Sequence, residues 1–130
     1  MSNDRKTIDA ATAPAAVGPY SHAVQANGLL FCSGQIPLDP ATGEIVGDTP
    51  AEQARRCLEN LQLVCDAAGT KLEDAVRCTV YMTDLSAFAE VNEVYAEFFP
   101  SQPPARAAVG VAALPKGAQV EIDAIVSVSG

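Results

Sequence analysis

In the run Ala105-Arg-Ala-Ala-Val109 a single arginine stands among small apolar residues, where its charge is hard to account for by simple solvation. A guanidinium is always charged, carries only donors and needs an acceptor wherever it sits. For Arg106 two partners fit: an acid of the same chain such as Glu121, in a structural ion pair, or the carboxylate of a ligand, gripped in a bidentate clamp. Glu121 lies between Val120 and Ile122 and, in a strand, points opposite to them. Facing solvent it would only hydrate a sheet. Lining a partly dry pocket, its pKa would rise and it would hold or protonate a water, as a general acid/base must. An arginine that grips an anion and a glutamate that handles a water suit hydrolysis of a small carboxylate-bearing compound.

Other routes to chemistry are thin. There is no Gly-x-Ser-x-Gly, no phosphate-cradling Gly-x-x-x-x-Gly-Lys and no Gly-x-Gly-x-x-Gly. A serine triad has one histidine to draw on, His22, which reads first as a structural hydrogen-bonder in a strand. Cys32, Cys57, Cys65 and Cys78 form no Cys-x-x-Cys pair and stand apart from His22, so no metal site is expected. Cys57 and Cys65 fall in one expected helix about 12 Å apart along its axis, too far for a mutual disulfide. All four are expected to be reduced thiols packed like small hydrophobes.

These residues must be held by a sheet and helices. Ser21–Ala26 and Leu29–Ser33 flank Asn27-Gly28, a strong hairpin signal. Pro37–Gly43 is dense in turn residues. A helix opens at Thr49-Pro50-Ala51-Glu52, with a capping threonine, a proline at the first helical position and a glutamate completing a capping box. Its stripe is Ala54, Leu58, Leu61, Cys65 and Ala68, and Gly69 stops it. Ala75–Thr83 alternates as a strand, with Val76, Cys78, Val80 and Met82 on one side. A second helix is expected from about Ser86 to Phe98, with a stripe of Phe88, Val91, Tyr95 and Phe98 ended by Pro100, Pro103 and Pro104. Strands at Arg106–Ala112 and Ala118–Val128 close the chain, and a short strand at Lys6–Asp9 opens it. Residues 1–130 are thus expected to form one α+β domain, a mixed sheet with both helices packed on one face.

Such a sheet leaves its other face bare, and the last strand offers Val120, Ile122, Ala124, Val126 and Val128 to one side and Ile125 to the other. Covering the bare face calls for a closed homo-oligomer. The composition, 48% hydrophobic and 18% charged, is that of a globular chain. Its formal net charge of −8 disfavours nucleic acid and anionic membranes as partners, while leaving room for a local arginine that binds a small anion. No apolar run approaches the length that spans a bilayer. Met1-Ser-Asn-Asp-Arg-Lys lacks the apolar stretch of a secretory leader, so a cytoplasmic location is expected.

Several motifs in order carry a resemblance over residues 6 to 127: Ala13–Ser21 with Gly18-Pro-Tyr20, Ser33-Gly-Gln-Ile-Pro37, Gln53-Ala-Arg55 with Asn60, Val91-Asn92, and Pro104-Ala-Arg106 through Leu114-Pro-Lys-Gly117 to Val120-Glu-Ile-Asp123. In these the chain resembles the RidA/YjgF family of reactive-imine deaminases. The resemblance implies a chorismate-mutase-like fold, a homotrimer with sites in the clefts between subunits, and no cofactor. It implies hydrolysis of 2-imino acids and their enamine tautomers, such as 2-iminobutanoate and 2-iminopropanoate, to the 2-oxo acid and ammonia. Carried over by motif, Arg106 binds the substrate carboxylate and Glu121 positions and activates water. Tyr20 lines the pocket from the neighbouring subunit. Ser33, Gly34 and Asn92 complete the lining, with backbone contacts at Gly34 and Ala108. An imine already hydrolyses in water, so positioning and modest electrostatic help suffice.

Two positions depart from the family pattern. Ala107-Ala108 follows the arginine where many relatives carry a hydroxyl or thiol, and His22 stands where Gln is common. Other readings of the family remain as alternatives: an aminoacrylate deaminase in pyrimidine breakdown, a non-enzymatic holdase or a ligand-sensing trimer. A translation-inhibiting ribonuclease fits poorly with the charge, the single histidine and the absence of tryptophan.

Overall fold

The computed structural model describes residues 4–128. Residues 1–3, on which the reading of the N-terminus partly rests, lie outside them. The strands are β1 (Lys6–Ile8), β2 (Ala23–Ala26), β3 (Leu29–Gln35), β4 (Ala75–Met82), β5 (Ala105–Gly110) and β6 (Val120–Ser127); the helices are α1 (Pro50–Ala67) and α2 (Phe88–Phe98). They form one mixed sheet in the order β1-β2-β3-β6-β4-β5. Neighbours run antiparallel except β4 and β5, which are parallel and need the crossover that α2 supplies.

Local chemistry explains the elements that the sequence marks most strongly. Asn27 and Gly28 both take positive φ, 53° and 76°, as a two-residue turn between twisted strands requires. At α1 the Thr49 side chain accepts from the Glu52 N–H, and the Glu52 carboxylate reaches back to the Thr49 N–H, a complete capping box with Pro50 behind it. Ala54, Leu58, Leu61 and Cys65 are buried on one face of α1, joined by Cys57 and Val64. In β6 the alternation holds throughout: Val120, Ile122, Ala124 and Val126 are buried beneath the helices, while Glu121, Asp123 and Ile125 are half-buried on the other face. All four cysteines are free and buried.

Where the elements differ from expectation, the cause is visible. Between Ala75 and Arg77 the β4 register slips against β6 by one residue, so Val76 is the extra residue of a bulge and is exposed, while Ala75 takes its place in the core. A 3₁₀ turn over Leu85–Ala87, held by the Asp84 carboxylate on the Ser86 N–H, precedes α2 and delays its start to Phe88. Val94 and Phe99 are buried, whereas Phe98 is half-buried at the last turn. β5 starts at Ala105 and stops at Gly110, and β6 starts at Val120 after a turn over Pro115–Gly117. The open face of the sheet is mixed: Phe31 opposes Ile125 and Val109 opposes Tyr81, with Thr79 and Asp123 between them.

Candidate functional site

The Glu121 side chain leaves the open face of β6 beside a second bulge. Cys32 pairs with Ala124 and Gln35 with Ile122, so β3 carries one residue more than its partner between these pairs, and Ser33-Gly34 falls in the excess. The bulge brings the Gly34 backbone directly under the Glu121 carboxylate. Beyond β3 the chain turns away, and Tyr20, Ser33, Gly34, Gln35 and Glu121 line a cleft of about 490 Å³ together with Pro14, Ala15, Val17, Ile36, Leu38 and Pro115. The Ser33 hydroxyl donates to the Ser21 carbonyl at 2.6 Å, tying the approach to Tyr20 onto β3.

Apart from Tyr20, Ser33 and Gln35 the walls are apolar, and the Glu121 carboxylate makes no hydrogen bond or ion pair among the described residues. Partial burial, and after it the Asp123 carboxylate two residues along the strand, push its carboxyl above the ordinary glutamate range. Asp123 itself accepts from the Thr79 N–H at 3.1 Å and the Tyr81 hydroxyl at 3.2 Å. A carboxyl poised in this way suits a group that takes a proton from a water and returns it.

Arg106 lies on the opposite face. It pairs in register with Cys78, which is buried beneath the helices, whereas Glu121 pairs with Tyr81 on the open side. Directly paired residues project to the same face of a sheet, so the two side chains point apart. The structural ion pair between Arg106 and Glu121 therefore does not form. Instead the guanidinium sits 5.0 Å from the Phe88 ring centre and 4.9 Å from that of Tyr95, and Nη1 donates to Asn92 Oδ1 at 2.6 Å. No acid pairs with it among the described residues. This arrangement holds the arginine and leaves donors of its fork for a further acceptor, in an open groove shared with Asn92, Glu93, Pro103 and Pro104. Ala108 follows two residues on along the edge strand β5, and its outer backbone groups border the same side of the molecule.

The sequence-derived candidates thus fall into two groups within one chain. Glu121 gathers Tyr20, Ser33 and Gly34, while Arg106 gathers Asn92, with Ala108 alongside. Tyr20 shares its cleft with Glu121 of its own chain. The cleft walls Pro14, Val17, Ile36 and Leu38 carry little signal in the sequence, being proline and apolar residues in loops. Phe88 and Tyr95 belong to the apolar stripe of α2, and an aromatic pair one helical turn either side of Asn92 is also a ready seat for a cation. His22 is buried, accepts the Ala10 N–H at Nδ1 (2.9 Å) and donates from Nε2 to the Pro14 carbonyl (2.8 Å), so it acts as a structural clamp. Asp9, exposed to solvent, lies 3.4 Å from the same Nδ1, which already accepts the Ala10 N–H. Among the described residues, no group of three or more His, Cys, Asp or Glu converges on a metal position.

A six-stranded mixed sheet with two helices defines an α+β protein, with the cleft around Glu121 on one face and the seated Arg106 on the other. The endoribonuclease L-PSP family model matches residues 10–128, and the chain belongs to that family, also known as YjgF/RidA. A RutC family protein of Sinorhizobium fredii is 55% identical over 117 residues, covering 90% of this chain and 93% of its own. A protein of Bos taurus named 2-iminobutanoate/2-iminopropanoate deaminase is 48% identical over 121 residues, covering 93% of this chain and 88% of its own. The crystal structure of RidA from the Antarctic bacterium Psychrobacter sp. PAMC 21119 superposes with a TM-score of 0.90 at 46% identity, covering 95% of this chain and 99% of that one. No helix among the described residues is long and apolar enough to cross a membrane.

Proposed function

We propose that this protein hydrolyses 2-imino acids, of the kind of 2-iminobutanoate and 2-iminopropanoate, to 2-oxo acids and ammonia, as a homotrimer of single-domain chains in the cytoplasm. The observation that carries the reading is Arg106: a guanidinium seated by two rings and an asparagine, with no acid partner among the described residues. An exposed cation held in place in this way and left without an anion fits a carboxylate ligand. The name of the bovine relative, at 48% identity, points to the same substrates.

The placement of the two groups on opposite faces supports a site shared between copies. Arg106 and Glu121 of one chain do not reach a common small molecule, so a site that uses both takes Arg106, Asn92 and the Ala108 backbone from one copy and Glu121, Tyr20, Ser33 and Gly34 from the next. In that cleft Arg106 binds the substrate carboxylate and Glu121 takes a proton from the water that attacks C2. With the substrate as its iminium ion, addition of the hydroxyl gives the tetrahedral amino alcohol; the Glu121 carboxyl returns the proton to nitrogen, and as the C–N bond breaks the hydroxyl proton passes to the Glu121 carboxylate, leaving the 2-oxo acid and ammonia. The raised pKa of Glu121 serves both directions of that transfer. No step calls on a cofactor.

A second reading is hydrolysis of aminoacrylate in pyrimidine breakdown, an enamine carboxylate of similar size and the same charge that the Arg106 guanidinium would grip in the same way. The first is tested by generating the imine with a threonine dehydratase and following 2-oxo acid formation, the second by supplying an aminoacrylate and following ammonia release. The protein is expected to accelerate 2-oxo acid formation, and Arg106→Ala to lower that acceleration by about a hundredfold or more, the scale of losing one preorganised contact. No acceleration, or full acceleration by Arg106→Ala, removes the imine reading; acceleration confined to an aminoacrylate source selects the second.

A further inference from the structure

Four polar side chains are buried among the described residues, His22, Gln35, Gln53 and Asn60, and all four sit against the Glu121 cleft or the segments that lead into it. His22 clamps the Pro14 carbonyl. Gln35 lines the cleft. Gln53 donates to the Gly47 carbonyl at 3.1 Å and accepts the Gln119 N–H at 2.8 Å, two residues before Glu121. Buried polar groups are tolerated where hydrogen bonds offset their desolvation, and their concentration here fixes one region of backbone.

Asn60 is the extreme case. It lies in the middle of the apolar face of α1, fully buried, and its Nδ2 donates to two carbonyls at once, Ile36 at 3.3 Å and Leu38 at 3.0 Å. Its Oδ1 meets no donor among the described residues. An asparagine chosen for stability alone would be poorly suited to this position, since one of its polar atoms is buried without return. Its two donors act on the segment that has just left β3 after the Ser33-Gly34 bulge, and that segment supplies Ile36 and Leu38 to the wall around Glu121.

We propose that Asn60 is a positioning residue for the hydrolysis: it pins the Ile36–Leu38 wall across the cleft so that the Glu121 carboxylate stays shielded from bulk water. The role is specific to the reaction read above and rests on that reading for its catalytic consequence. The titratable groups that bear on Glu121, Asp123 on its own strand, Tyr81 on β4, Tyr20 in the cleft, Cys57 on α1 and, in the shared cleft read above, Arg106 of the next copy, are all retained when Asn60 is changed, so a shift in Glu121 reports the wall.

The test follows the Glu121 side-chain carbonyl by ¹³C NMR through a pH titration, alongside the pH profile of kcat/KM, for the native protein, Asn60→Ala and Val64→Ala. Val64 is buried on the same helix and serves as a control for lost packing. In Asn60→Ala the Glu121 midpoint is expected to fall toward the ordinary glutamate range, the acid limb of kcat/KM to follow it, and kcat/KM to drop about tenfold or more, the scale of a slightly misplaced group. Val64→Ala is expected to melt earlier with the midpoint in place. An Asn60→Ala midpoint equal to the native one, or an equal shift in Val64→Ala, overturns the proposal. Should Asn60→Ala not fold, Leu38→Ala removes part of the wall itself and must lower the midpoint; an unmoved midpoint there overturns it as well. The NMR titration stands without turnover, so a native protein inactive on imines ends the hydrolase reading while the wall is still judged by the midpoint.

Discussion

Gly34 lies directly beneath the carboxylate of Glu121: a Cβ at position 34 would come within 2.9 Å of Glu121 Cδ and closer still to Oε2. Gly34 is not among the residues with positive φ, so its backbone would accept any side chain. The glycine is there for room. Gly34→Ala is therefore expected to fold and to push the Glu121 carboxylate aside, lowering imine turnover about tenfold to a hundredfold, as a displacement of about 1 Å does in a preorganised site. Circular dichroism and the dehydratase-coupled assay check the two halves of this expectation; full activity in Gly34→Ala would show that the close approach does not matter.

Burial raises the Glu121 pKa, with Asp123 adding to it, and the sign of the consequence is fixed. A carboxyl whose folded pKa lies above its unfolded value contributes stability that is fully present below the unfolded pKa and is lost as pH rises through the folded one. At neutral pH the ionised Glu121 is thus a burden on the fold. Glu121→Gln is expected to melt above the native protein at neutral pH and to lose that advantage as pH falls below the ordinary glutamate value, while its imine turnover collapses. Asp123→Asn removes the second cause and is expected to move the acid limb of kcat/KM to lower pH. Thermal melts and rate profiles across the acidic range measure both.

The α1 capping box bears on stability and leaves the chemistry alone. The Glu52 carboxylate accepts from the Asp48 and Thr49 N–H groups, which hold it below the ordinary glutamate range, and Thr49 returns the bond to the Glu52 N–H. Thr49→Ala is expected to cost about 1 kcal/mol of stability in a denaturant titration, the usual worth of an N-cap. Turnover at a temperature well below the melt should be unchanged.

Local signals were legible and registers were not. Asn27-Gly28 and Thr49-Pro50-Ala51-Glu52 each specify their structure within four residues, so the hairpin and the start of α1 follow from the chain itself. The two bulges do not. Val76 fits an alternating pattern as well as Ala75 does, and only the pairing of β4 with β6 decides which is buried. The Ser33-Gly34 pair inside an apolar strand was the available cue to the other bulge, a glycine where packing is wanted. Arg106 and Glu121 were both readable as chemistry, and Glu121 was readable as pointing away from its neighbours. That the two project from opposite faces depends on the parallel register of β5 on β4, to which alternation within a strand is blind.

That opposition yields the sharpest test of how the site is built. Arg106→Ala retains a native Glu121 half, and Glu121→Gln retains a native Arg106 half, so each variant alone is expected to be nearly inactive. If a working site takes one half from each of two copies, a mixed oligomer brings the intact Arg106 of one variant against the intact Glu121 of the other. Random mixing at equal amounts makes about one site in four wholly native, because each half is drawn independently in a closed ring with heterologous contacts. Co-expressed or unfolded-and-refolded mixtures are therefore expected to recover roughly a quarter of native turnover, with the recovered fraction peaking at equal proportions. Sites contained within a single chain recover nothing at any proportion, so a flat, inactive mixing curve from well-formed mixed oligomers would remove the shared-site arrangement.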